Sequence, residues 1–264
     1  MEKWYRGEWG LILGSSSGFG LATAKRLAFR GMNLFGVHFD RRGAIDKINQ
    51  EIDEMKSQGV EVEFFNYNAV DEEKRKQTIQ AMKERMGHAP LRCILHSLAF
   101  GTLRDYFAEN IEAEITPAQM EMTLNVMAHS LVYWIQDLRR EGLIQEGTRI
   151  FAMTSSGGGR VWPHYGAVSA AKAALESHIR QIALELAPYG IRANSICAGV
   201  TDTPALRKIP GHEALINGAL ARNPSKRLTN PEDIGNVIAL LSHPDAAWMT
   251  GNVIYVDGGE EIVG

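Results

Sequence analysis

Short apolar runs alternate with longer amphipathic stretches along the whole chain, and few folds accept that pattern. The runs at 10–13, 33–39, 61–67, 93–96, 148–153, 191–197 and 252–256 read as seven strands. Between them, 19–29, 44–58, 72–86, 117–140, 165–186 and 231–241 carry helical periodicity. Strands separated by helices pair in parallel, which predicts an α/β class with a seven-stranded, doubly wound sheet. No Pro/Ser-rich linker or composition shift divides the 264 residues, so 1–264 reads as one domain. The long stretch at about 200–230 takes no clear element, and loops of that size in compact domains are more often functional than idle.

Charge excludes several classes of function. Twenty-eight basic residues against 31 acidic ones leave a formal net charge of −3, which argues against a nucleic-acid or membrane-surface partner. No apolar run approaches the roughly 18 residues of a membrane span, and the first residues lack a signal-peptide core. Cys93 and Cys197 each sit inside an apolar run, which suits a reducing, cytoplasmic setting and rules out a disulfide framework. No metal site is expected, because His96 has no second ligand at zinc-like spacing.

Directly after the first strand comes Gly14-Ser-Ser-Ser-Gly18-Phe-Gly20. A glycine turn there lets the backbone approach a pyrophosphate and presents it to a helix N-terminus. The candidates for that contact are Gly14, Ser16, Ser17, Gly18, Phe19 and Gly20. The spacing G-x-x-x-G-x-G resembles the cofactor turn of the short-chain dehydrogenase/reductases. Asn68-Ala-Val-Asp71, Asn125, the run 194–199 and Val256-Asp-Gly-Gly259 match further motifs of that family across nearly the whole chain. The resemblance implies a Rossmann-type domain and a nicotinamide cofactor. Its implied contacts include Asn68, Ala69, Ser97, Leu98, Ala99, Lys172, Val200 and Thr203. At the end of the second strand, His38 stands where NAD-type members carry an acid, followed by Asp40, Arg41 and Arg42. Guanidinium groups suit a 2′-phosphate, which favours NADPH and leaves NADH open. Asp40 either binds ribose hydroxyls or caps the next helix.

The family's usual tyrosine lies four residues before its active-site lysine. Four before Lys172 is Val168, and the nearest tyrosine is Tyr165, seven residues upstream. That is almost two helical turns, so both residues share a face, with the tyrosine displaced by about 4.5 Å. Conjugate reduction of a 2-enoyl thioester puts hydride on the β-carbon and negative charge on an oxygen three bonds away. A hydrogen-bond donor shifted from the hydride path serves that oxygen, and such a donor is often the largest catalytic term. This Tyr-x6-Lys spacing resembles the enoyl-acyl carrier protein reductases, a divergent branch of the family. His96-Ser-Leu-Ala99 and Cys197-Ala-Gly199 agree with that branch. Ser155 and Asn125 follow the carbonyl-reducing pattern instead, a blend similar to the type III subgroup.

The resemblance therefore implies NADPH-dependent reduction of the 2,3 double bond of trans-2-enoyl thioesters, with Tyr165, Lys172, Ser155 and Asn125 as catalytic candidates. A carbonyl reductase and a non-catalytic cofactor-binding homologue are the alternatives. Phe100, Tyr165 and Leu206 are candidate substrate contacts, with 200–230 as a lid. That lid's Arg207, Lys208, Arg222, Lys226 and Arg227 suit an acidic acyl carrier protein or coenzyme A phosphates. A homotetramer follows from the resemblance, with the small residues Ala170, Ala171, Ala173 and Ala174 suited to close helix packing. His164 reads as a solvated neighbour of Tyr165, and Cys197 as a small core residue.

Overall fold

The computed structural model describes residues 2–263. Its seven strands are β1 (Trp9–Leu13), β2 (Asn33–His38), β3 (Val62–Asn66), β4 (Leu91–His96), β5 (Arg149–Thr154), β6 (Arg192–Ala198) and β7 (Val253–Val256). They form one parallel sheet in the order β3-β2-β1-β4-β5-β6-β7. The helices are α1 (Gly18–Phe29), α2 (Ile45–Lys56), α3 (Glu72–Met86), α4 (Pro117–Leu124), α5 (Ser130–Arg140), α6 (Gly166–Leu186), α7 (His212–Arg222) and α8 (Pro231–Leu241). The chain steps outward from β1 to β3, then crosses back to place β4 on the other side of β1. That reversal makes a switch point between β1 and β4, and ligand crevices form outside the carboxyl ends of strands there.

Two cores explain why the central strands read as nearly unbroken apolar runs. Side chains alternate across the sheet: Leu11 and Leu13 of β1 pack on one face with Phe35, Trp134 and Leu175, and Ile12 packs on the other with Leu34, Phe151 and Ile234. The outer helices start where side chains supply the missing partners. Thr116 and Gln119 form a reciprocal capping box before α4, with Pro117 in the first turn.

The structure departs from the sequence expectation in three places. The 117–140 period is two helices joined by a π-helical turn over Asn125–His129. Such a turn adds a residue to the helical repeat, and its side chains still follow the helix closely enough to hide it in the periodicity. The 200–230 stretch contains a short 3₁₀ turn at Leu206–Lys208 and then α7. Tyr165 is the N-cap of α6 rather than its first helical residue. No helix among the described residues is long and apolar enough to cross a membrane.

Candidate active site

The glycine turn lies at the switch point. Gly14 has φ +93°, and a side-chain carbon on it would strike the backbone oxygen of Ser97. Its N–H and that of Ser15 both donate to the Val37 carbonyl, at 2.8 and 3.2 Å. A side-chain carbon on Gly20 would meet the Gly14 oxygen, so β1, β2, β4 and α1 converge on backbone alone here. Helix α1 opens at Ser17 with no side-chain cap and no acid in its first turn. Its first N–H groups are thus directed at whatever anion the crevice receives, which fits a cofactor pyrophosphate. Across from the turn, the Thr203 methyl is the one group within 4 Å of where a Gly18 side chain would begin.

At the ends of β2 and β3 the structure removes one of the two roles read for Asp40. Its carboxylate lies 3.0 Å from His38 Nδ1, and its backbone N–H and C=O both bond the Asn66 amide at 3.0 Å. Asp40 therefore caps no helix. Arg41 and Arg42 are exposed and have no ion-pair partner among the described residues. Asn68 accepts from the Val70 N–H at 3.3 Å, and the carbonyl of buried Ala69 accepts from the Trp134 indole at 2.9 Å. Asp71 caps α3 through the Lys74 N–H.

Beside the turn opens a cavity of about 440 Å³. Phe19, Ser97, Leu98, Ala99, Val200 and Thr203 from the cofactor candidates line it. So do Ser155, Tyr165, Lys172 and Leu206. Gly14, Ser16, Ser17, Gly18, Gly20, Asp40, Arg41, Asn68 and Ala69 lie outside this wall, around the ends of β1, β2 and β3. Asn125 and Phe100 are not in the wall either. Met127 from the same π turn reaches the cavity where Asn125 does not, and Phe100 is 57% exposed while Ala99 and Gly101 on either side line the space.

Tyr165 Oη stands 3.5 Å from Ser155 Oγ. Burial raises the phenol pKa above its ordinary value, so at neutral pH it is a donor and not a base. Lys172 is buried, and its Nζ donates to the Met153 carbonyl at 2.7 Å. Burial lowers its pKa to about 8. An ammonium has three protons, so two remain for a ligand. Below Lys172 on α6, Glu176 accepts from Thr154 Oγ1 at 2.6 Å and holds the end of β5. Cys197 also lines the cavity, and burial pushes its thiol up to about 12, which leaves it protonated and unreactive.

Sequence reasoning missed the carboxyl-terminal tail. Asp257, Glu260 and Glu261 enter the cavity wall. Glu260 accepts from the Val200 N–H at 3.0 Å and pairs with Arg222 at 3.3 Å, while Glu261 pairs with Arg160 at 2.8 Å. Two acids directly after the Asp257-Gly-Gly motif were the available signal. Trp162 was missed as well, and its indole reaches the Pro210 carbonyl at 3.4 Å, joining the loop before Tyr165 to the 200–230 segment. That segment is also less basic than its composition suggests. Arg207 is paired with Asp202, Arg222 with Glu260 and Arg227 with Asp233, and Lys226 bonds the Ala221 carbonyl.

A doubly wound parallel sheet, an uncapped helix start at its switch point, and a Tyr–Ser–Lys group beside it define a nicotinamide-dependent oxidoreductase of the short-chain type. The family profile described as "Enoyl-(Acyl carrier protein) reductase" matches residues 14–261. An enoyl-[acyl-carrier-protein] reductase [NADH] from Nostoc sp. is 30% identical over 243 residues, covering 91% of this chain and 90% of that one. A 1-cyclohexenylcarbonyl-CoA reductase from Streptomyces collinus is 29% identical, over 96% of this chain and 86% of that one. The crystal structure of an enoyl-[acyl-carrier-protein] reductase (NADH) from Aquifex aeolicus superposes with a TM-score of 0.84 at 25% identity, covering 98% of each chain. The chain belongs to this family, the short-chain dehydrogenase/reductases of the enoyl reductase type.

Proposed function

We propose that the protein reduces the 2,3 double bond of trans-2-enoyl thioesters, with NADPH as reductant and acyl carrier protein as the favoured carrier. The observation that carries this reading is the placement of Tyr165: at the mouth of α6, on the cavity wall, seven residues before the buried Lys172. A bound reduced nicotinamide supplies the hydride for the β-carbon. As the double-bond electrons move toward the thioester, the Tyr165 hydroxyl donates a hydrogen bond to the oxygen that becomes the enolate. Lys172 would hold the cofactor ribose with the two protons that Met153 leaves free. The α-carbon then takes its proton from water. Leu206, Ile209 and Leu215 supply an apolar wall for an acyl chain.

A relative named for acyl carrier protein and another named for coenzyme A support a thioester and leave the carrier to experiment. With Arg207, Arg222 and Arg227 paired, Lys208 is the cation that the 200–230 segment brings to the wall without a charge partner among the described residues. The exposed side chains of Leu184 on α6 and Trp248 before β7 suit subunit contacts in a homotetramer. Free, buried Cys93 and Cys197 suit a reducing cytoplasm. A second reading has one observation in its favour. Ser155 within 3.5 Å of Tyr165 is an arrangement that polarises a ketone, so the protein would then reduce 3-ketoacyl thioesters.

The deciding experiment follows NADPH oxidation with a trans-2-enoyl thioester and with a 3-ketoacyl thioester. Turnover of the enoyl compound alone, lost in Tyr165→Phe by about a hundredfold or more, is the expected result. Turnover of the ketone alone installs the second reading. For the cofactor, relatives named for NADH compete with the two unpaired arginines after β2. Replacing Arg41 and Arg42 by Ala is expected to raise KM for NADPH about tenfold and leave KM for NADH unchanged. Equal effects on both would refute the NADPH assignment.

A further inference from the structure

Tyr165 is delivered to the cavity by a tight turn. Its N–H donates to the Trp162 carbonyl at 3.1 Å, Pro163 holds the second position, and His164 at the third has φ +62°. These are the marks of a type II β-turn, whose third position is the place for glycine or asparagine. Among the described residues only His164 and Lys226 combine a side chain with positive φ. A strained residue beside a reactive one calls for a reason.

The imidazole supplies it. His164 Nδ1 lies 2.9 Å from Asp105 Oδ1. Asp105 belongs to the segment between β4 and α4, and that segment is braced from within. Its own carbonyl accepts the Ile115 N–H at 2.9 Å, and the adjacent Arg104 guanidinium bonds the carbonyls of Glu112 and Glu114 at 3.1 and 3.3 Å. The next residue, Tyr106, covers the first residue of α6: a side-chain carbon on Gly166 would come within 2.7 Å of its ring. The same segment starts in the cavity wall, at Ala99, Gly101 and Leu103. One piece of chain, braced by its own hydrogen bonds, thus lines the substrate space and also contacts the turn that carries Tyr165 through a half-exposed pair.

We propose that His164 is a positioning residue. Its imidazole tethers the Tyr165 turn to the 104–116 segment and so fixes where the phenol stands relative to the substrate carbonyl. The inference rests on the reading of Tyr165 as the hydrogen-bond donor, and it goes beyond the solvated neighbour expected from the sequence. A side chain kept where glycine fits more readily is explained by the tether and by nothing in the turn itself.

The test separates strain from tether. His164→Gly relaxes the turn and removes the imidazole, so Tm is expected to hold or rise while kcat falls about ten- to a hundredfold. KM for the reduced nicotinamide should stay within twofold, because Lys172 and the glycine turn are untouched. Asp105→Ala keeps the histidine backbone and should lower kcat to the same extent. The double variant should be no slower than either single one. Wild-type kcat in His164→Gly, or additive losses in the double variant, overturns the proposal. Tyr165→Phe is run beside them: if it is inactive while His164→Gly is normal, only this inference fails, and if it is fully active both fall.

Discussion

Lys172 has no charge partner in contact among the described residues, and its Nζ meets a backbone oxygen at the buried cavity wall. Burial is the main reason its pKa falls to about 8. The charged form is the one that can hold ribose hydroxyls and stabilise developing negative charge near the phenol. Activity is therefore expected to decline as pH rises through about 8, where this proton leaves. A pH profile of kcat/KM for the enoyl thioester checks it, and a profile flat to pH 10 would remove Lys172 from the machinery. At this scale the sequence was informative, because a Tyr–Lys separation of seven is a count of residues. It could not show that Asp40 turns to His38, since that pairing depends on where β2 ends. Nor could it show that His164 bends into a left-handed conformation.

Glycines at the start of α1 act through the shape of the element. Gly14 combines φ +93° with a backbone oxygen where a side chain would go, so neither rotation nor repacking relieves a substitution. Gly14→Ala is expected to lower stability by about 2 kcal/mol or more and to weaken cofactor binding together with it. Urea unfolding and cofactor titration of the variant check both, and a loss below about 0.5 kcal/mol would mean the turn is softer than its geometry implies. The long helical period at 117–140 shows what the pattern conceals. Its apolar positions continue through the π turn at Asn125–His129, yet the turn gives Ser130 a place to link two elements. The Ser130 hydroxyl donates to the Val126 carbonyl at 2.8 Å and accepts from His96 Nε2 at the end of β4, also at 2.8 Å. The basic excess of 200–230 was legible, and Arg207 and Arg227 pair with near neighbours in sequence, Asp202 and Asp233, whereas the Arg222–Glu260 pair required the fold to bring a distant acid near.

For the molecule as a whole, the same histidine sets a limit on acid tolerance. His96 is fully buried beside the buried ammonium of Lys172, and burial above all lowers its pKa from 6.5 to about 3. The unfolded chain binds that proton more readily, so the stabilisation is complete above pH 6.5 and is lost progressively as pH falls toward 3. His178, also lowered by burial, adds in the same direction. The midpoint of urea unfolding should drop between pH 6.5 and 4.5, and His96→Asn should flatten that slope; equal slopes would dismiss His96 as the cause. The sequence by itself determined the strand–helix alternation, the glycine turn and the Tyr165–Lys172 spacing, because each is written in local periodicity or in residue counts. Only the tertiary structure decided the sheet order, the tail acids in the cavity wall, the Arg222–Glu260 pair and the His164–Asp105 contact. These depend on which distant segments meet, and burial and charge then act only on the groups that the fold has brought together.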